Sequence, residues 1–95
     1  MIKLLYEYED YELGRLVVKS KKFDSREKAL AYAKKKYFNP KDEWYDDVKE
    51  ELIGDYDVTN IQEVCDIDFK EFCENNKFDF NDGMHIVATL TLKEC

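Results

Sequence analysis

Apolar and polar residues alternate from the first residues of the chain. Ile2, Leu4, Tyr6 and Tyr8 fall on one side, and Lys3, Leu5 and Glu7 on the other. A period of two predicts a strand over residues 2–8. Residues 15–23 repeat the pattern, with Leu16 and Val18 opposite Arg15, Val17 and Lys19. The link between them, Glu9 to Gly14, is polar and ends in glycine. The two segments therefore read as an antiparallel hairpin.

The period then lengthens. Asp24-Ser25-Arg26-Glu27 resembles a capping box, with an acid at the cap and Glu three residues on. Ala29, Leu30, Ala33 and Tyr37 follow at helical spacing, and Lys34, Lys35 and Lys36 crowd the end, where the helix dipole favours cations. Asn39-Pro40 closes this helix, because a residue before proline avoids the α region. Pro40 also suits the first turn of a second helix, over roughly residues 40–53 and stopped by Gly54.

Val58 to Cys65 reads as a weak strand. Asp68 and Glu71 form a second capping box, with Ile67 and Phe72 as a hydrophobic staple, so a short helix is predicted there. It frays at Asn75-Asn76. Asn81-Asp82-Gly83 is a turn, and Met84 to Leu92 a last strand with Ile86, Ala88, Leu90 and Leu92 on one face. The predicted order is β-β-α-α-β-α-β. It implies a single α+β domain over residues 1–95, with about four mainly antiparallel strands and helices on one face. No internal repeat or linker divides the chain.

Size and composition agree with one modest core. The chain has 95 residues, with 44% hydrophobic and 15% aromatic residues, which argues against disorder although 39% are charged. A folded chain of this mass exposes roughly 5,800 Å². No apolar run approaches the ~18–20 residues that span a bilayer, and the acidic start lacks a signal peptide's apolar region. Three Cys, at 65, 73 and 95, form an odd set without CxxC, which suits a reducing, cytoplasmic setting.

Charge sharpens the picture. The net charge of −7 is an average over two unlike parts. Residues 1–38 carry ten Lys/Arg against six Asp/Glu, or +4; residues 39–95 carry five Lys against sixteen Asp/Glu, or −11. Such asymmetry is a mark of an interaction surface.

The second predicted helix concentrates the acids. At about 100° per residue, Trp44, Tyr45, Val48 and Leu52 occupy one arc, and Asp42, Glu43, Asp46, Asp47, Glu50 and Glu51 fill the other. Four like-charged i,i+4 pairs oppose the helix by on the order of 1–2 kcal/mol at low salt. A face serving solubility alone would interleave lysines. From Asp42 to Glu51 the helix rises about 13.5 Å, close to one charge per 2.3 Å. Duplex DNA carries one per ~1.7 Å. These six acids, with Asp55, Tyr56 and Asp57 beyond them, are the candidate partner-binding residues.

Other chemistry is thinly represented. Three glycines exclude a glycine-rich phosphate loop, and two Ser with one His leave little for a catalytic triad. Asp55, Asp57, Thr59, Ile61, Glu63 and Asp66 occupy the ligand positions of a calcium loop, but Asn60 replaces its turn glycine and Asp66 its bidentate glutamate. Cys65, Cys73, His85 and Cys95 have the residue types of a zinc site but no compact spacing. No metal, cofactor or catalytic residue is expected, and the chain is not expected to be an enzyme.

In size, charge and lack of a catalytic motif, the chain is similar in kind to the short, acidic, glycine-poor anti-defence proteins of phages and mobile elements. Anti-CRISPR proteins and DNA mimics are among them. The likeness covers no alignable segment. It implies a cytoplasmic inhibitor that occupies the phosphate-binding surface of a basic protein, such as a nuclease or another nucleic-acid-binding protein. Direct binding to nucleic acid or membrane is not expected. Two alternatives stand beside this reading. One is a structural or regulatory homo-oligomer, such as a homodimer, that pairs the basic zone at residues 19–36 with the acidic helix. The other is a small-ligand sponge.

Overall fold

The computed structural model describes residues 1–82 and 85–94. The order is β1 (Ile2–Asp10), β2 (Arg15–Phe23), α1 (Arg26–Lys36), α2 (Glu43–Tyr56), α3 (Ile61–Asn75), β3 (Lys77–Asp82) and β4 (His85–Glu94). The strands form one antiparallel sheet in the order β2-β1-β4-β3. The expected class, a four-stranded α+β domain with helices on one face, is the one observed.

Alternation in β1 decides which face is covered. Leu4, Tyr6 and Tyr8 align with Leu92, Leu90 and Ala88 of β4, which in turn face Phe78 and Phe80 of β3. Leu4, Phe78, Phe80, Ala88, Leu90 and Leu92 are buried. Ala29 and Ala33 of α1, Tyr45 of α2, and Val64, Cys65 and Phe72 of α3 cover them, together with Phe38. The other face stays open, and Leu16, Val18 and Ile86 are each more than half exposed. One bare face gives a slab 20 Å thin in its shortest dimension. It also accounts for a surface of 6584 Å², above the value expected from mass.

Local chemistry explains the joints. Between β1 and β2, Asp10 Oδ1 accepts the amides of Glu12 and Leu13, and Gly14 takes a φ of 62°. Lys19, Lys21 and Lys22 line the edge strand β2, where charge hinders pairing with another chain. Between β3 and β4 the register shifts at Phe80/Asn81, which face Ala88 and Ile86 and leave Val87 as the extra residue. A bulge of this kind re-aims the side chain beside it.

The structure corrects several expectations. The strand predicted over Val58 to Cys65 does not form, because α3 begins at Ile61. The fourth strand is Lys77–Asp82, so the order is β-β-α-α-α-β-β. Asp68 and Glu71 are no cap: both lie inside α3, and Asp68 points into the core. The actual cap is Asn60, whose side chain accepts the Glu63 amide, while Glu63 Oε2 accepts the Thr59 amide. Nor is there a staple, since Ile67 is exposed. Ser25, not Asp24, caps α1 by accepting the Lys28 amide. In α2, Asp42 caps the start, and Gly54 lies within the helix, which ends at Asp57 in the left-handed region. Met84, Gly83 and Cys95, parts of the predicted last strand, its turn and the zinc set, lie outside the described residues.

Candidate functional site

α2 presents its acids as the periodicity requires. Tyr45 is buried, and Trp44, Leu52 and Tyr56 are half-buried because they pack against the core; Val48 on the same side is half-buried too. Glu43, Asp46, Asp47, Glu50 and Glu51 are exposed on the opposite side, whereas Asp55 and Asp57, also exposed, lie at the helix end and its left-handed cap, off that row. Asp42 is half-buried, with Oδ1 accepting the Trp44 amide. One lysine enters the arc: Lys49 Nζ lies 3.6 Å from Asp46, both side chains well solvated. Such an exposed pair contributes little. α3 extends the negative surface with Glu63, Asp66, Glu71 and Glu74, all exposed.

Tyr56 differs from its neighbours. Its hydroxyl donates to Asp68 Oδ1 at 2.5 Å, and the buried Tyr45 hydroxyl donates to Oδ2 at 2.8 Å. Tyr56 thus joins α2 to α3. Burial pushes the Asp68 carboxyl above the usual carboxylate range, an effect the two hydroxyl donors only partly reverse. Both tyrosines are held protonated by burial and by the same carboxylate.

The basic zone does not fold onto the acidic arc. Among the described residues, no ion pair joins residues 19–36 to α2 or α3. Much of the zone is engaged by its own neighbours. The Arg26 guanidinium donates to the Cys73 carbonyl at 2.7 Å and to Asn76 Oδ1 at 2.9 Å. Lys28 pairs with Asp24. Lys21 and Lys36 lie over the Tyr32 ring, Lys19 over Tyr8 and Lys34 over Phe69, at 4.3–5.8 Å from the ring centroids.

The metal windows fall apart in three dimensions. Asp55 closes α2 while Ile61, Glu63 and Asp66 lie on α3, so the calcium-loop spacing spans two helices and a short link. Cys65 is buried, with its thiol pushed up to about 12 chiefly by burial. His85 lies at the far hairpin, its Nε2 2.7 Å from the Tyr11 hydroxyl.

The fold also builds a feature that sequence spacing does not reveal. Beneath the joint between α1 and α2 lies a cleft of about 400 Å³. Tyr6 and Tyr8 of β1, Phe80 of β3 and Val87 and Ala88 of β4 form its floor. Tyr37, Asp42 and Trp44 form the helical side, and Glu9, Tyr11 and Lys36 complete the lining. Tyr6 stacks on Tyr37 at 4.7 Å and tilts against Tyr8 at 5.5 Å. Trp44 meets Phe80 edge-on at 5.2 Å, and its Nε1–H is buried without an acceptor. Burial raises the Tyr6 and Tyr37 hydroxyls, Tyr37 to about 12, and the Asp42 charge adds to both. These groups come from five separated stretches of chain, so only the many tyrosines hinted at them.

Comparison with models of protein families, with curated proteins and with solved structures gives no match.

Proposed function

We propose that the protein is a non-enzymatic interaction module. Its acidic α2 arc occupies a phosphate-binding groove on a basic partner, a nuclease or another nucleic-acid-binding protein of the cytoplasm. The observation that carries this reading is the exposure of Glu43, Asp46, Asp47, Glu50 and Glu51 along one side of one helix with a single weak lysine contact. A helix that keeps so many like charges together loses stability to no internal benefit, which is the expected mark of a surface used elsewhere. A groove lined with Lys and Arg gains from a rigid row of carboxylates as it does from phosphates, through charge-assisted hydrogen bonds. Association should be fast and strongly weakened by salt.

The test pairs the native protein with a variant carrying Asp46, Asp47, Glu50 and Glu51→Lys. Each is used to capture proteins from a bacterial lysate, with elution by salt and by duplex DNA. The expected result is a nucleic-acid-binding protein retained by the native chain, released by DNA and lost with the variant, while circular dichroism shows the variant folded. Capture that persists through the charge reversal, or that DNA does not displace, overturns the reading.

A further inference from the structure

We propose that the cleft beneath the α1–α2 joint is a binding site for a methylated ammonium head group. Three features select that chemistry. The walls are aromatic: Tyr6, Tyr8, Tyr37 and Trp44 surround one space of about 400 Å³, and the faces of such rings carry the negative part of their quadrupole. Rings gathered in this way attract a cation within about 6 Å of their centroids, and most strongly one that sheds water easily. A quaternary ammonium meets that condition, whereas a bare lysine ammonium is strongly hydrated.

The second feature is charge. Asp42 faces the cleft from the start of α2, close enough for its charge to act on the Tyr6 and Tyr37 hydroxyls. One of its oxygens is committed to the Trp44 amide. Glu9 adds a carboxylate at the rim. The one lining cation, Lys36, has its ammonium 5.8 Å from the Tyr32 ring, which is not part of the cleft. Lys19 lies outside the lining, with its ammonium 5.6 Å from the Tyr8 ring, so one ring of the site already attracts a cation; the lining itself sets two carboxylates against one displaced lysine, which disfavours anions. The third feature is how the rings are held. The Tyr6, Tyr8 and Tyr37 hydroxyls make no hydrogen bond among the described residues, while Tyr6 stacks on Tyr37 and tilts against Tyr8, so packing fixes the rings and recognition rests on them and on charge.

The site does not depend on the acidic-arc reading. Reversing Asp46, Asp47, Glu50 and Glu51 leaves every lining residue in place, so either proposal can fail alone.

Trp44 is the single tryptophan, so intrinsic fluorescence reports on this cleft directly. The native protein is titrated with tetramethylammonium chloride, with sodium chloride at matched ionic strength as the blank. Tert-butanol serves as a neutral isostere. The expected result is a saturable change with tetramethylammonium and about tenfold weaker binding of the isostere. Asp42→Asn keeps a competent helix cap and should weaken tetramethylammonium several-fold. Tyr37→Phe should bind nearly as the native protein, whereas Tyr37→Leu should lose binding. A trimethyllysine peptide and its unmodified counterpart identify the source. Tighter binding of the methylated peptide than of the free cation points to a modified protein side chain; the reverse points to a small molecule. No saturable change, equal affinity for the isostere, or indifference to Asp42→Asn in a folded variant overturns the proposal.

Discussion

Among the described residues, Asp68 is the one charged side chain in the core, at 1% exposure. It is retained there because Tyr45 and Tyr56 donate to its two oxygens and so tie α2 to α3. Burial raises its folded-state pKa above the ordinary 3.8. Between the two values the folded chain therefore holds a proton that the unfolded chain has released. Where the folded state binds more protons, stability falls as pH rises. The contribution of Asp68 is thus complete below pH 3.8 and declines as pH climbs through the raised folded value. Asp68→Asn removes this titration, so the stability gap between native protein and variant should be widest near pH 4 and shrink toward neutrality, as urea midpoints across that range will show. Asp68→Ala should cost about 2–4 kcal/mol, since it leaves the buried Tyr45 hydroxyl and the half-buried Tyr56 hydroxyl without their acceptor. Equal gaps at every pH would mean that Asp68 titrates as a solvated acid.

Helices α2 and α3 show what a sequence pattern reveals and what it conceals. In α2, apolar Trp44, Tyr45, Val48 and Leu52 repeat at helical spacing, and both the element and its two faces were legible. Its cost was legible too. Glu50→Lys removes one repulsion with Asp46 and creates an attractive i,i+4 pair in the favoured order, so it should stabilise the protein by about 0.5 kcal/mol in thermal unfolding. The same change should weaken capture of a basic partner, and stability rising as binding falls is the signature of a functional arc. In α3 the reading failed because two capping patterns compete eight residues apart. Asp68…Glu71 looks like a box but sits mid-helix, while Thr59-Asn60…Glu63 supplies the cap. Asn60→Ala should therefore cost about 1 kcal/mol, whereas a cap at Asp68 would make Asn60 dispensable. Strand β3 was missed although Phe78 and Phe80 alternate with polar residues, because six residues give a short signal. The aromatic cleft was beyond any local pattern, since its walls meet only when β1, β3, β4 and the α1–α2 joint assemble.

On the scale of the whole molecule, the charge split along the chain becomes a spatial polarity. The sheet order places β2, with α1 packed over it, at one edge, and β3, with α3 packed over it, at the other. α1 carries five cations and one acid, whereas α2 and α3 together carry eleven acids and two lysines. Such polarity is what a head-to-tail pairing of basic edge with acidic edge requires. Two observations weigh against self-association. Lys19, Lys21, Lys34 and Lys36 are drawn over aromatic rings, so the basic zone is partly satisfied within its own chain. A net charge of −7 also makes two copies repel until they are closely aligned. Sedimentation should accordingly find a monomer at about 50 mM salt, where charges are screened over about 14 Å, as well as at about 0.5 M, where they are screened over about 4 Å, since the attraction is weak to begin with. A dimer at low salt that dissociates at high salt would instead assign the acidic arc to a second copy of the chain. The partner's basic groove would then be the zone formed by β2 and α1.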